Sequence, residues 1–516
     1  MTRCSLLLSF RRPSGLRNLL LIFLLALTGC ADKPAPDELV MIIESSPGNL
    51  DPRVGTDAQS ERISKLIFGS LLRRDEHFEL QPDLAERWEI RDPLTYVFHL
   101  RRGVRFHDGR ALTARDVKFT LDSVRDGSLR TAKASTYRLV ASVEAPDDHT
   151  VIVRLKEPYA PLLWNLADGA FGVVPDGSGA DLNRRPIGSV PFRFVSMQQD
   201  SDVVIERNDG YWGAKPNVRR IRFSVVPDTT TRVLELEKGS ADIAINALTS
   251  DMVERIRAQD KLAVEISPGS IYMYLAMNLK DPLLGDVRVR RALAHAIDRQ
   301  PLIHYLWRDL ARPADSVLPP QHWAYNGDVR KYSYDPQRAR QLLDEAGYPE
   351  KNGVRFTLTM KTSTEESTRL LAAVLQQQLR EVGIRLEIRS FEFATFYSDV
   401  VKGAFQLYGL RWIGGNEDPD IFEHVFHSQS IPPRRANRSY YSNPRVDALI
   451  EEARRTVDQE KRKQLYFDVQ RILAEELPYI HLWYLDNVLV HTRRVKNVQA
   501  THSGNYDFLL TAELAR

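Results

Sequence analysis

Cysteine is nearly absent: Cys4 and Cys30 are the only two in 516 residues. Two thiols cannot build a disulfide scaffold or a four-thiolate zinc site. An excess of one charge is missing too, with 71 Lys+Arg against 68 Asp+Glu. A nucleic-acid binder needs a concentrated basic surface to displace phosphate counterions, so no nucleic-acid partner is expected. No apolar run reaches the roughly 20 residues that a membrane-crossing helix requires. No period of 20–50 residues repeats, which removes solenoids and propellers. The common catalytic signatures are lacking as well. Gly177-Ser178-Gly179 and Gly188-Ser189 do not make a Gly-x-Ser-x-Gly elbow, and the twelve histidines include no His-Glu-x-x-His. No Gly-x-x-x-x-Gly-Lys-Ser/Thr loop is present to cradle a nucleotide. The chain is therefore expected to have no catalytic residues, no cofactor and no metal, and not to be an enzyme.

The first thirty residues carry what asymmetry there is. Arg3, Arg11, Arg12 and Arg17 occur without any acidic residue, an apolar run covers residues 19–27, and Thr28, Gly29 and Cys30 follow. A positive stretch, a short apolar stretch and small residues at a cleavage point form the order of a secretory signal. Pro13 directly after Arg11-Arg12 argues against a twin-arginine signal. Without residues 1–29 the count becomes 67 basic against 68 acidic residues, so the slight basic bias belongs to this segment alone. Residues 30–38, with Pro34 and Pro36, read as a solvated tether.

The remaining length predicts at least two lobes of mixed α/β structure, with 43% hydrophobic residues to fill their cores. Alternation at Tyr96, Phe98 and Leu100, resuming at Val104 and Phe106, predicts a half-buried hairpin. Thr113 and Asp116 have capping-box spacing ahead of Val117, Leu121 and Val124. Asp335-Pro336 and Asn443-Pro444 each open a helix, the first closed by Gly347. A further apolar stripe runs through Leu465, Val469, Ile472 and Leu473. Apolar stretches at 221–226, 272–279 and 480–490 are candidates for chain crossings between lobes.

Leu27-Thr28-Gly29-Cys30 resembles the bacterial lipobox, which implies that Cys30 becomes the first mature residue and carries lipid on its thiol and amine. Three longer stretches resemble a single family. They are Leu84-Ala85-Glu86-Arg87-Trp88 continuing through His107-Asp108-Gly109 to Val117, Glu206-Arg207-Asn208-Asp209-Gly210-Tyr211-Trp212-Gly213 continuing to Ile243, and Asp286-Val287-Arg288-Val289-Arg290-Arg291-Ala292-Leu293 with Ala296-Ile297-Asp298-Arg299. All are similar to the dipeptide- and oligopeptide-binding proteins of bacterial ABC importers, extracellular solute-binding family 5. The likeness continues through Tyr334-Asp335-Pro336, Gly383-Ile384 and Asp418-Pro419-Asp420 to Leu477-Pro478.

The resemblance implies a type II periplasmic-binding-protein clamshell with an extra α/β subdomain on lobe one. Lobe I is expected from 39–57, 182–268 and 485–516, the extra subdomain from 58–181, and lobe II from 269–484. It implies a peptide or peptide-like solute as ligand, an ABC permease and ATPase as partners, a membrane reached through the lipid anchor, and a monomer in the periplasm or at the cell surface. A sugar-like compound, an opine or a chelated metal is the alternative ligand, and a non-transport sensor or envelope interaction protein the alternative role. His107-Asp108-Gly109 is expected to be a turn.

Among ligand-contact candidates the resemblance singles out Arg411-Trp412-Ile413-Gly414-Gly415-Asn416-Glu417-Asp418. In peptide-binding members an Asp three residues after the Trp pairs with the peptide's α-amine; here that position is Gly415, with Glu417 or Asp418 nearby to substitute and Asn416 a further ligand-contact candidate. A competing role for Asp418 and Asp420 is to cap a helix starting near Ile421. Trp412 offers an aromatic wall. Arg411 offers a bidentate partner for a carboxylate, but the two alternate on a strand and face opposite sides. Tyr272 and Tyr274 share one face near a presumed crossing. Thr56 and Asp57 lie where the family's first lobe reaches its ligand.

Overall fold

The computed structural model describes residues 37–167, 171–259, 261–414 and 418–515. The signal segment, most of the tether, Cys30, Gly415, Asn416 and Glu417 lie outside the described residues.

One sheet of eleven strands runs through the molecule. At one end, strand Glu38–Ile43 lies between Arg220–Val225 and Ile243–Ile245, parallel to both. Antiparallel Asp202–Arg207 and Phe192–Gln198 continue beyond Arg220–Val225. At the other end Phe356–Ser363, Ile384–Phe391 and Leu407–Trp412 run parallel, linked by helices Glu366–Arg380 and Phe393–Val401. Two long strands, Leu262–Met277 and Tyr479–Thr492, pair antiparallel and join the two ends. Residues 262–267 and 487–492 belong to the first end; 271–277 and 479–485 belong to the second. Arg220–Val225 stays within the first end and is no crossing, since all its partners belong to that half.

The crossing pair is interrupted. Its register shifts between Ser267 and Ile271, around Pro268-Gly269-Ser270. A Cβ on Gly269 would sit 2.2 Å from the Leu485 carbonyl oxygen, so only glycine permits this approach of the two backbones. Asn487 fastens the first end beside the interruption, donating from Nδ2 to the carbonyls of Thr501 (2.7 Å) and His502 (2.9 Å) and accepting from Asn246 (2.8 Å).

A separate four-stranded antiparallel sheet comprises Ala85–Asp92, Thr95–Leu100, Thr150–Leu155 and Val140–Asp147, in that order. The expected hairpin from 95 to 106 does not form. Thr95–Leu100 is a central strand between Ala85–Asp92 and Thr150–Leu155, buried at every position but His99. Val104 and Phe106 are buried in a loop after it, where Gly109 makes the turn at φ 89° and His107 binds Gly188 N and Val190 O. Helix Ala114–Arg125 carries the expected Thr113/Asp116 capping box; Pro336–Glu345, Pro444–Arg455 and Gln459–Glu476 also form.

Two apolar clusters cover the two faces of the first end, and a third fills one face of the second. The fourth joins the core of the four-stranded sheet to the other face of the second end without a break. Trp164 lies against Trp323 (5.5 Å between ring centroids) and Phe78 against His322 (5.3 Å). Ala160 N–H donates to the Arg454 carbonyl across the same contact (2.8 Å). Residues between 58 and 181 thus pack against both ends of the long sheet, Ile63 and Phe68 on the first and Trp164 on the second.

Candidate functional site

The three parallel strands of the second end stop at Ser363, Phe391 and Trp412. In open α/β sheets, the crevice beyond the carboxyl ends of strands is where backbone groups and loops converge on ligands. A cavity of about 220 Å³ lies there. Ser363 and Glu365 reach it from the first strand end, Phe393 and Phe396 from the second, Leu410, Arg411 and Ile413 from the third, and Met273, Trp483 and Leu485 from the crossing strands. Trp307 closes one side from helix Arg299–Trp307. Phe393 (54% exposed) and Ile413 (58% exposed) present apolar surface to solvent.

Polar groups in this wall are few. Arg411 and Glu365 stand 3.8 Å apart, both with half-exposed side chains. Glu365 is the one carboxylate among the described lining residues. The indole N–H groups of Trp307 and Trp483 are buried without a hydrogen-bond partner. A buried donor left unpaired costs about 1–3 kcal/mol.

Arg411 and Trp412 do face opposite sides of their strand. Trp412 pairs in register with Tyr272, and Arg411 with Met273. Trp412 therefore shares the face of Tyr272, Tyr274 and Tyr408. Tyr272 and Tyr274 are 0% and 1% exposed and stack on each other at 5.5 Å; Tyr274 also stacks on Tyr479 at 4.3 Å. The Tyr272 hydroxyl meets His481 Nδ1 at 2.5 Å, and burial pushes that imidazole down to about 3. This is a packed aromatic core, not a free wall.

Asp418 is held by Arg462, whose Nη1 and Nη2 donate to its two oxygens at 2.9 and 2.8 Å. Asp420 pairs with Arg454 at 2.7 Å and accepts a longer bond from the Tyr159 hydroxyl at 3.4 Å. Neither carboxylate accepts from an N–H inside helix Ile421–Phe426; Asp418 Oδ1 accepts instead from Asp420 N at 2.7 Å. Asp57 caps helix Ala58–Lys65, accepting from Ser60 N (2.9 Å), Ser60 Oγ (2.5 Å) and Gly48 N (3.1 Å), with Thr56 exposed beside it. No described contact brings Thr56 or Asp57 to the cavity.

Among the described residues of the stretch singled out in the sequence, Arg411 and Ile413 line the cavity, and Trp412, Asp418, Tyr272, Tyr274, Thr56 and Asp57 do not. Trp307, Trp483, Phe393, Phe396 and Glu365 were not foreseen, because four helices and strands far apart in sequence bring them together. Arg438 was also missed. It lies 5.5 Å from the Trp412 ring, with its guanidinium on the hydroxyl of Tyr397 (2.8 Å). Among the described residues there is no group of three or more potential metal ligands and no helix long and apolar enough to cross a membrane.

The family model described as bacterial extracellular solute-binding proteins, family 5, matches residues 79–431. A glutathione-binding protein of Pectobacterium atrosepticum is 32% identical over 461 residues, covering 87% of this chain and 88% of the relative. A dipeptide-binding protein of Escherichia coli K12 is 30% identical over 485 residues, covering 88% and 90%. Among solved structures, HbpA2 from Haemophilus parasuis superposes with a TM-score of 0.83 at 26% identity, covering 93% of this chain and all of that one. The periplasmic binding protein DppA from Helicobacter pylori, in complex with the peptide STSA, gives 0.75 at 26% identity, with 93% and 98% covered. The matched proteins are solute-binding proteins, not enzymes.

Proposed function

Because the chain belongs to the bacterial extracellular solute-binding proteins of family 5, we propose that it is an extracytoplasmic receptor enclosing a peptide or peptide-like solute and delivering it to an ABC-type permease. The observation that carries this reading is the cavity of about 220 Å³ beyond three parallel strand ends, beside the two interrupted crossing strands. Its apolar walls suit side chains, and the Trp307 and Trp483 N–H groups suit peptide carbonyls. Residues 39–57, 182–268 and 485–516 act as lobe I, with 58–181 as its extra subdomain and 269–484 as lobe II. Closure bends the chain at 267–271 and at 485–487, and contacts with ligand offset the lost freedom of the lobes. Cys30 carries the lipid that holds the receptor at the membrane, so that C30A releases it to the soluble fraction.

Native mass spectrometry of the purified protein tests the substrate class. Co-purified peptides, or masses exchangeable with added dipeptides, support the reading; a retained sugar-like or metal-chelate mass overturns it. A second reading, a non-peptide ligand, is favoured by one observation. Gly415 replaces the acid that would pair with an α-amine, and the only lining carboxylate described, Glu365, already faces Arg411.

A further inference from the structure

Five arginines are at most 8% exposed: Arg53, Arg232, Arg290, Arg438 and Arg462. Guanidinium is always charged and donates only, so each must find acceptors. Arg53 has Asp51, and Arg462 has Asp418. Arg232 has the carbonyls of Val226 and Pro227, and Arg290 those of Leu284, Gly285, Glu476 and Leu477. Arg438 is different. Its hydrogen-bond partners are two phenols, Tyr397 at 2.8 Å and Tyr274 at a long 3.5 Å, and no described carboxylate lies within ion-pair distance. Beside it, the indole N–H of Trp412 is buried and unpaired.

Among the described residues this cluster has a surplus of donors, and the positive charge meets only phenol oxygens and the rings of Tyr397 (5.2 Å) and Trp412 (5.5 Å). An isolated buried charge costs several kcal/mol, and phenol oxygens replace only part of its hydration. The pocket also has a way in. Tyr397 is 37% exposed and stacks at 5.9 Å on Phe393, which lines the cavity. The rings of Phe393 and Tyr397 stand between a ligand seated in the cavity and the guanidinium. A planar fork of N–H groups matches a carboxylate better than any other common anionic group of a peptide.

We propose that Arg438, with the Trp412 N–H, seats a carboxylate of the ligand at the edge of the cavity. The inference rests on the peptide reading and narrows it to acid-bearing ligands. Displacement of Tyr274 and reorientation of Tyr397 free the guanidinium for two parallel bonds.

The test is calorimetric binding of three probes to the full chain: Ala-Phe, its C-terminal carboxamide, and Ala-Glu carboxamide, which keeps only a side-chain carboxylate. The wild type is expected to bind Ala-Phe at least about 10-fold tighter than the carboxamide, the scale of one lost charge-assisted pair. R438Q is expected to abolish that preference by weakening the acid while leaving the amide unchanged, and R438K to retain part of it. Acid-level affinity for Ala-Glu carboxamide that R438Q also removes assigns the site to a side-chain carboxylate. Equal wild-type affinity for all three probes overturns the carboxylate site alone. Equal weakening of acid and amide by R438Q also overturns it, because a merely structural arginine would act so. If R438Q does not fold, R438K and Y397F decide by the same acid-to-amide ratio. Binding of none of the three overturns the peptide reading itself and this inference with it.

Discussion

Replacing Asp418 by Asn separates a ligand-binding carboxylate from a structural one. Arg462 is fully buried, bonded to both Asp418 oxygens, and its guanidinium lies 4.8 Å from the Trp164 ring and 5.6 Å from that of Trp323. Asn keeps the volume and one acceptor but leaves the guanidinium without its counter-charge. Breaking a buried pair by removing one partner costs about 3–5 kcal/mol, mostly the desolvated charge left behind. Unfolding entropy of about 2.1 cal/mol/K per residue comes to about 1 kcal/mol/K for a chain of this size. D418N is therefore expected to lower the melting temperature by about 3–5 °C in a single cooperative transition. Scanning calorimetry reads that shift, and titration with a bound peptide reads affinity. The double variant D418L/R462M, apolar at both positions, should recover most of the loss, because replacing both ions removes the desolvation cost together with the attraction. A D418N protein that melts like the wild type while losing peptide affinity more than 10-fold would refute this reasoning and return Asp418 to the ligand.

Glu365 is the only lining carboxylate described, so E365Q should weaken peptides with a free amine by about 3–10-fold and leave their N-acetylated counterparts unchanged, as read by calorimetry. W307F and W483F replace the indole by a smaller phenyl ring and remove the orphan N–H; each should cost about 3–10-fold in affinity, and W483F, at a buried position, should lower the melting temperature as well. Burial holds His107 and His424 down at about 4 and His481 at about 3, so these imidazoles bind protons more readily in the unfolded chain. Their effect on stability is absent above about pH 6.5 and grows as pH falls toward 4, by about 1.4 kcal/mol per pH unit and group. Asp83, which burial pushes up to about 6, opposes one of the three between pH 6 and 4. Thermal melts should thus fall steadily from pH 7 to pH 4, and H481Q should reduce that slope by about one proton.

Local structure was legible wherever short-range chemistry determines it. Thr113 and Asp116 at the start of one helix, Asp335-Pro336 and Asn443-Pro444 at two others, and the turn at Gly109 all act within a few residues of themselves. The apolar stretches at 272–279 and 480–490 proved to belong to the crossing strands, since long apolar runs are what a strand covered on both faces requires. The same rule misled at 95–106. Alternation there suggested one wet face, whereas Val97 is as buried as Phe98, so both faces of that strand are covered.

The site was less legible, for a physical reason. A ligand cleft is read from the sequence as polar or aromatic residues placed near strand ends, but two side chains of one strand end can have opposite fates. Arg411 points into the cavity, while Trp412, one residue on, turns to the face of Tyr272 and Tyr408. Similarly, Asp418 looks like a free acid in Asp418-Pro419-Asp420, but its counter-ion Arg462 comes from a helix 44 residues later. What the sequence conceals is whether a charge already has a partner. Arg454 and Arg462 have theirs in Asp420 and Asp418, and the second pair occupies the described acid that the sequence offered for an α-amine. Arg438 lacks a described carboxylate partner, and on the strand face it shares with Trp412 the place for an ion therefore has the opposite sign: the donors remain there, so the group still to be supplied is an anion.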